Sequence, residues 1–175
     1  MFSRIRVVMA TGVLGLWASL SVAQPDVPKE IAVPAGLKLL HKLDARGVQI
    51  YKAVESAGGK LEWVLEAPLA DLVDGKGGKA GYHYDGPSWE ATDGSKVVRD
   101  PAEAVKVAAA PNAKDDIPWL LVKVKADEAK AGSFSPVLYI QRLQTAGGKA
   151  PADPPRRAGT KVGIAYKAVY YFYGK

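Results

Sequence analysis

The sequence contains no cysteine among its 175 residues. That excludes disulfides, thiolate nucleophiles and zinc sites with sulfur ligands. It also excludes lipid attachment through an N-terminal cysteine. Histidine is scarce as well: the chain has two, His41 and His83. No long amphipathic helix, internal repeat or block of like charge is visible. The lysines are scattered singly, and no nucleic-acid motif or basic stripe accompanies them, so nucleic acid is not an expected partner.

One long apolar run is present, at the start. Arg4 and Arg6 form a short basic region, Val7 to Leu20 an uncharged, mostly apolar one, and Ser21-Val22-Ala23 a small-residue cleavage pattern. This is the layout of an export signal over residues 1–23, with cleavage before Gln24. The run is shorter than the ~20 apolar residues a spanning helix needs, and Gly12 and Gly15 interrupt it. The expectation is a secreted or periplasmic protein with no membrane span after cleavage. Removing the two signal arginines lowers the formal charge from +6 to +4. A mild positive balance favours anionic neighbours, such as an envelope polymer or saccharide.

Residues 24–36, with Pro25, Pro28 and Pro34, read as an extended arm. From Leu37 onward the apolar residues alternate with period two, the signature of strands. Residues 47–54 place Val48, Ile50, Lys52 and Val54 on one face and Gln49, Tyr51 and Ala53 on the other. Gly58-Gly59 connects them to a second alternation, Leu61, Trp63 and Leu65, in a hairpin with one apolar face. Further strands are expected at 80–84, 88–92, 96–99, 105–109, 119–125, 136–143 and 161–173. Asp93-Gly94 is a strong hairpin-turn signal. Residues 102–110 are alanine-rich and could instead turn helically, and 127–131 could be a short helix or a loop. The last strand carries Val162, Ile164, Tyr166, Ala168, Tyr170 and Phe172 on one face. Its other face becomes apolar at Val169, Tyr171 and Tyr173, which predicts burial on both sides. The remaining strands are too short and too rich in lysine for a lipid-facing band. The expected architecture is all-β: a single-domain antiparallel sandwich or barrel over 37–175. A Gly/Pro-rich exposed loop at 146–159 precedes the last strand.

Gly81–Ser95 is the densest concentration of chemistry. Tyr82, His83, Tyr84, Trp89 and Glu90 form a candidate ligand-binding set, with Arg142 nearby. His83 with Asp85, Glu90 and Asp93 follows no ligand spacing known for metals, so neither a metal nor a cofactor is expected. Trp63 and Trp119 sit in apolar alternations that suit a core, and Trp89 suits a half-buried hairpin position. A carboxylate such as Glu90 or Asp85 could satisfy Arg142. A binding or interaction module fits these features best. A hydrolase combining His83 with Ser88 or Ser95 and an aspartate is a weaker alternative, because no nucleophile elbow is present. A metal-assisted enzyme on residues 82–95 is another. A third reading is a structural surface or matrix component that self-associates through the two-sided last strand.

Several phrases recur in a fixed order: Gly47-Val-Gln-Ile-Tyr51, Trp63-Val-Leu-Glu-Ala-Pro68, His83-Tyr-Asp-Gly-Pro-Ser-Trp-Glu90, Ile117-Pro-Trp-Leu-Leu121, Tyr139-Ile-Gln-Arg-Leu143 and Tyr166-Lys-Ala-Val-Tyr-Tyr-Phe-Tyr173. Together they resemble the secreted bacterial and fungal family designated domain of unknown function thirty-four fifty-five. The resemblance covers nearly all of the chain after the signal and implies an exported, mostly β domain, with no activity to carry over. Family members often have a cysteine at the position of Ala53 and a second near Pro155 or Arg156. The resemblance therefore implies that Ala53 lies near 155–156, with the 146–159 loop folded back over the first hairpin.

Overall fold

The computed structural model describes residues 26–127 and 130–175. The proposed signal, residues 1–23, lies outside the described residues. Nine strands follow one another: β1 (Lys38–Glu55), β2 (Leu61–Val73), β3 (Lys79–Tyr84), β4 (Ser88–Ala91), β5 (Lys96–Arg99), β6 (Lys106–Ala108), β7 (Trp119–Asp127), β8 (Val137–Gly147) and β9 (Lys161–Gly174). The only helical element among the described residues is a 3-10 turn at Lys29–Ile31. The alanine-rich segment around β6 is extended, because pairing with β7 outweighs alanine's helix preference. Asp127 ends β7, and residues 128–129 of the 127–131 segment lie outside the described residues.

Every pairing is antiparallel. The sheet runs β5-β4-β3-β2-β1-β9-β8-β7-β6, and β5 also pairs with β7. Lys96–Arg99 lie against Val124–Asp127, while β6 takes the other half of the same β7 edge. Eight strands thus close into an antiparallel barrel, so the barrel form holds and an open two-sheet sandwich does not. The turns behave as their glycines require. Gly59 and Gly94 adopt φ of 75° and 83°, a region only glycine enters cheaply. They close the β1–β2 and β4–β5 hairpins.

Two apolar clusters lie on opposite sides of one wall. Inside the barrel are Leu43, Leu72, Trp89, Val97, Val122, Val124, Phe134, Ile140, Tyr170 and Phe172. Outside, on β7–β9, are Trp119, Leu121, Leu143, Tyr171 and Tyr173, covered by Ile31 of the N-terminal arm. The arm is held by a hydrogen bond of 2.8 Å from Gln141 Nε2 to the Ile31 carbonyl. The last strand is thus apolar on both faces because both are covered. The face that self-association would need is already occupied by the chain's own arm.

The first strand of the hairpin turns the opposite way from its apolar pattern, while Leu65 and Trp63 of β2 lie opposite Tyr51 and Ala53. Gln49, Tyr51 and Ala53 are buried, whereas Val54 on the other face is 41% exposed. The barrel interior accepts a glutamine and a tyrosine there, and Val48 and Ile50 lie on the outer wall. The 146–159 loop does fold back over this hairpin. Tyr51 Oη donates to the Gly148 carbonyl at 2.7 Å, and Trp63 Nε1 donates to the Asp153 carbonyl at 2.9 Å. Gly159 N–H donates to the Ala53 carbonyl at 2.9 Å, and Pro155 is buried within the loop.

The two barrel ends differ. One is filled by Phe134, stacked on Phe172 at 4.8 Å with His41 beside both. Ser95 Oγ accepts the Phe134 N–H and donates to Asp93, which also accepts from Ser133 N–H. The other end is ringed by the β1–β2 turn, the 85–87 turn, the β5–β7 connection and the 148–160 loop, and it is not filled.

Ile31 is fully buried against the outer wall. Ile31→Ala should cost about 2–5 kcal/mol through lost packing and a residual cavity. Urea denaturation measures it; a loss below about 0.5 kcal/mol would mean that the arm contributes nothing to the fold.

Candidate functional site

The unfilled end holds a cavity of about 140 Å³ lined by Gln49, Leu65, Pro68, His83, Pro87, Trp89, Val105, Leu120, Val122, Arg142 and Tyr170. Local sequence opens it. Pro68 cannot donate to the sheet, and the β1–β2 register slips between Ile50 and Tyr51, opposite Glu66. A proline and a bulge loosen a strand where a ligand or a bend needs room.

Three rings cross the interior. His83 on β3 and Trp89 on β4 are direct cross-strand partners. Their rings stack at 4.4 Å with only 9° between planes. Tyr170, from β9 on the facing wall, meets both edge-on at 5.2 and 6.1 Å. His83 Nδ1 lies 2.8 Å from the Ser88 carbonyl. A carbonyl only accepts, so Nδ1 carries the proton and Nε2 is left with a lone pair. Burial drives the His83 pKa down to about 3; the Ser88 carbonyl opposes the shift, and the positive charge of Arg142 adds to it.

Arg142 enters from β8, opposite Leu120 and Tyr170. It is only 8% exposed. Its Nε and Nη2 both donate to the Pro118 carbonyl, at 3.3 and 2.9 Å. It forms no ion pair among the described residues. The carboxylates nominated from sequence are elsewhere. Glu90 is on the outer wall, accepting a hydrogen bond from Tyr84, and Asp85 bonds Gly86 N–H in the turn. The Tyr84 hydroxyl is pushed up, first by that bond to Glu90 and then by burial.

Further polar groups around the cavity lack partners among the described residues. Gln49 Nε2, Trp89 Nε1 and the Tyr170 and Tyr166 hydroxyls are buried without a hydrogen bond. The Tyr166 hydroxyl is forced far upward, chiefly by burial and then by Tyr170, while Arg142 and Gln49 act the other way. Tyr166, Tyr170 and Gln49 thus act on one another through their polar side-chain groups, though in no hydrogen bond of full geometry. Gly148 packs closely against Tyr166, Ile117 and Gln49, with φ of 84°. An added Cβ there would sit 2.8 Å from Tyr166 Cβ and 3.0 Å from Ile117 Cγ2.

The six sequence candidates therefore divide. His83, Trp89 and Arg142 meet inside. Tyr82, 40% exposed and under Lys79, and the Tyr84–Glu90 pair belong to the outer wall. Trp89 is 1% exposed, fully buried in place of half-buried. Trp63, Trp89 and Trp119 lie apart: Trp119 is under the arm and Trp63 donates to the 153 loop. The serine–histidine–aspartate combination is not assembled. Ser95 and Asp93 cap the filled end, and Ser88 meets His83 only through its carbonyl. No group of three or more His, Asp or Glu among the described residues is arranged to hold a metal ion. Gln49 and Tyr170 were missed. Their signal was a polar or hydroxyl-bearing residue in strict alternation with small and apolar inward neighbours, on β1 and β9.

The molecule is thus a closed eight-stranded antiparallel barrel with an aromatic and basic cavity at one end. Residues 34–174 match the family model described as Protein of unknown function (DUF3455), and the chain belongs to that family. No curated protein and no solved structure matches it.

His83 is neutral and buried when folded, but titrates near 6.5 when unfolded. Between those values the unfolded chain binds a proton that the folded one refuses, so stability falls as pH drops from about 6.5 towards 3, by up to ~1.4 kcal/mol per unit. Asp74 and Asp93, both lowered below 3.8, lose their contributions only at lower pH. From pH 7 to about pH 4.5 the wild type should lose roughly 2–3 kcal/mol more than His83→Asn. Equal losses in guanidinium melts of the two proteins would refute the burial argument.

Proposed function

We propose that this protein is an exported binding module whose ligand occupies the cavity at the open end of the barrel. The observation that carries this reading is the pairing of an unfilled space with buried polar atoms that lack partners. Native interiors satisfy more than 90% of such groups. Each unmade bond costs about 1–3 kcal/mol, so several around one cavity indicate partners supplied from outside. The cavity has the usual make-up of a small-molecule site: rings and aliphatic walls with a few convergent polar groups.

Several features support a protein that works in water outside the cytoplasm. The export pattern of residues 1–23 fits. Arg46, Lys52, Asp71, Lys79, Lys125, Lys161 and Lys167 lie exposed along the strands, leaving no continuous apolar belt for lipid. Binding is favoured over acid–base catalysis because no aspartate or glutamate lines the cavity. Its one histidine is held in a single neutral form.

Two measurements test the proposal. The exported protein should begin at Gln24 by intact mass, and an uncleaved chain would contradict the export assignment. A panel of small neutral and charged fragments should shift the Trp89 indole N–H and the Gln49 side-chain amide in NMR spectra, leaving Trp119 under the arm unmoved. If no fragment moves either cavity resonance, the space is a packing gap and the binding reading fails.

A further inference from the structure

We propose that the ligand of this cavity is a small carboxylate with a flat, apolar body, held by Arg142; this rests on the binding reading above and specifies its chemistry. Arginine stays protonated in proteins and presents five N–H donors. Arg142 spends two on the Pro118 carbonyl. The rest of its guanidinium borders the cavity with no carboxylate of the described chain in ion-pair range. A buried charge without an opposite charge is costly, by several kcal/mol. Sequence-derived partners for it, Glu90 and Asp85, are held elsewhere.

The orphaned groups agree in sign. Trp89 Nε1 and Gln49 Nε2 can only donate, and the Tyr170 hydroxyl can donate. Three donor-bearing side chains and a cation lining one space call for an acceptor that carries negative charge. A planar carboxylate matches the guanidinium fork. The remaining lining is apolar: Leu65, Pro68, Val105, Leu120 and Val122 form walls beside the Trp89 and Tyr170 rings. At about 140 Å³ the cavity is close to one known to admit benzene. A six-membered ring or a short branched chain fills it, and the carboxylate lies at the polar side.

Benzoate and its neutral isostere benzamide separate the charge from the shape. NMR titration of the full mature protein at pH 7 should show benzoate binding at least tenfold more tightly than benzamide, with the Trp89 indole N–H shifting in both cases. Arg142→Gln should abolish the preference by weakening benzoate alone. Arg142→Lys, which keeps the charge, should retain part of it, and serves if the glutamine variant does not fold. Trp89→Phe should weaken benzoate several-fold by removing one donor while keeping a ring. Equal binding of benzoate and benzamide to the wild type would overturn the carboxylate proposal and leave the binding reading standing. Failure of both probes to move the cavity resonances would also overturn it. In that case, shifts produced by other neutral fragments would preserve the cavity as a site, and their absence would end both proposals.

Discussion

The structure depends on one short pairing, that of Lys96–Arg99 with Val124–Asp127. It is four residues long, reinforced by an ion pair of 2.6 Å between Lys96 and Asp127. Without it the sheet would be an open ribbon with β5 and the Val124–Asp127 half of β7 as unprotected edges, and a curled open sheet has no enclosed interior. Closure removes those edges. It also sets the barrel width, since eight strands leave an interior that side chains can just fill or that can hold one small ligand. Both outcomes occur here, one at each end. Phe134 and Phe172 occupy the far end, and the cavity remains where Arg142, His83 and Tyr170 face one another.

The interior polarity follows from that division. The filled end satisfies its polar groups locally, with Asp93 and Ser95 serving the backbone of the Phe134 loop. The open end leaves polar groups unserved over a short span of wall. A core built only for stability would place leucine or valine at positions 49, 142 and 170, because an apolar replacement of an unsatisfied buried polar group is often neutral or stabilising. Glutamine, arginine and tyrosine at those positions are the groups that the proposed ligand site would use. The neutral, single-tautomer His83 belongs to the same design: it acts as a flat ring with one lone pair, and its stack with Trp89 stiffens the wall that the ligand would touch.

The sequence exposed the strands well and their direction poorly. Alternation located all nine, and the two-sided apolar character of β9 correctly implied cover on its outer face. It failed at residues 47–54, where Val48 and Ile50 suggested the buried face and Gln49 and Tyr51 occupy it. Hydrophobicity reports the usual interior, and this interior is partly polar. The same failure hid the site. His83 and Trp89 stood out as a cluster with Tyr82, Tyr84 and Glu90, but period-two geometry sends alternate residues through opposite sides of the wall. Adjacent residues in the chain therefore cannot share the cavity, while Gln49 and Tyr170, distant in sequence, do. The closing β5–β7 contact was invisible as well, because nothing in four residues of either strand distinguishes a closing pair from an ordinary hairpin arm.

The pairing of β1 with β9 runs through 14 matched positions and is the longest in the barrel. Its two members lie far apart in the chain. During synthesis β1 emerges early and must wait, edge open and apolar, until Lys161–Gly174 has been made. The arm that covers β9 waits equally long for its surface. Contacts of such sequence separation slow folding, since the loop entropy is lost before the contacts form. Until Lys161–Gly174 arrives, β1 has no partner on that edge, so the barrel cannot close before the last strand is in place.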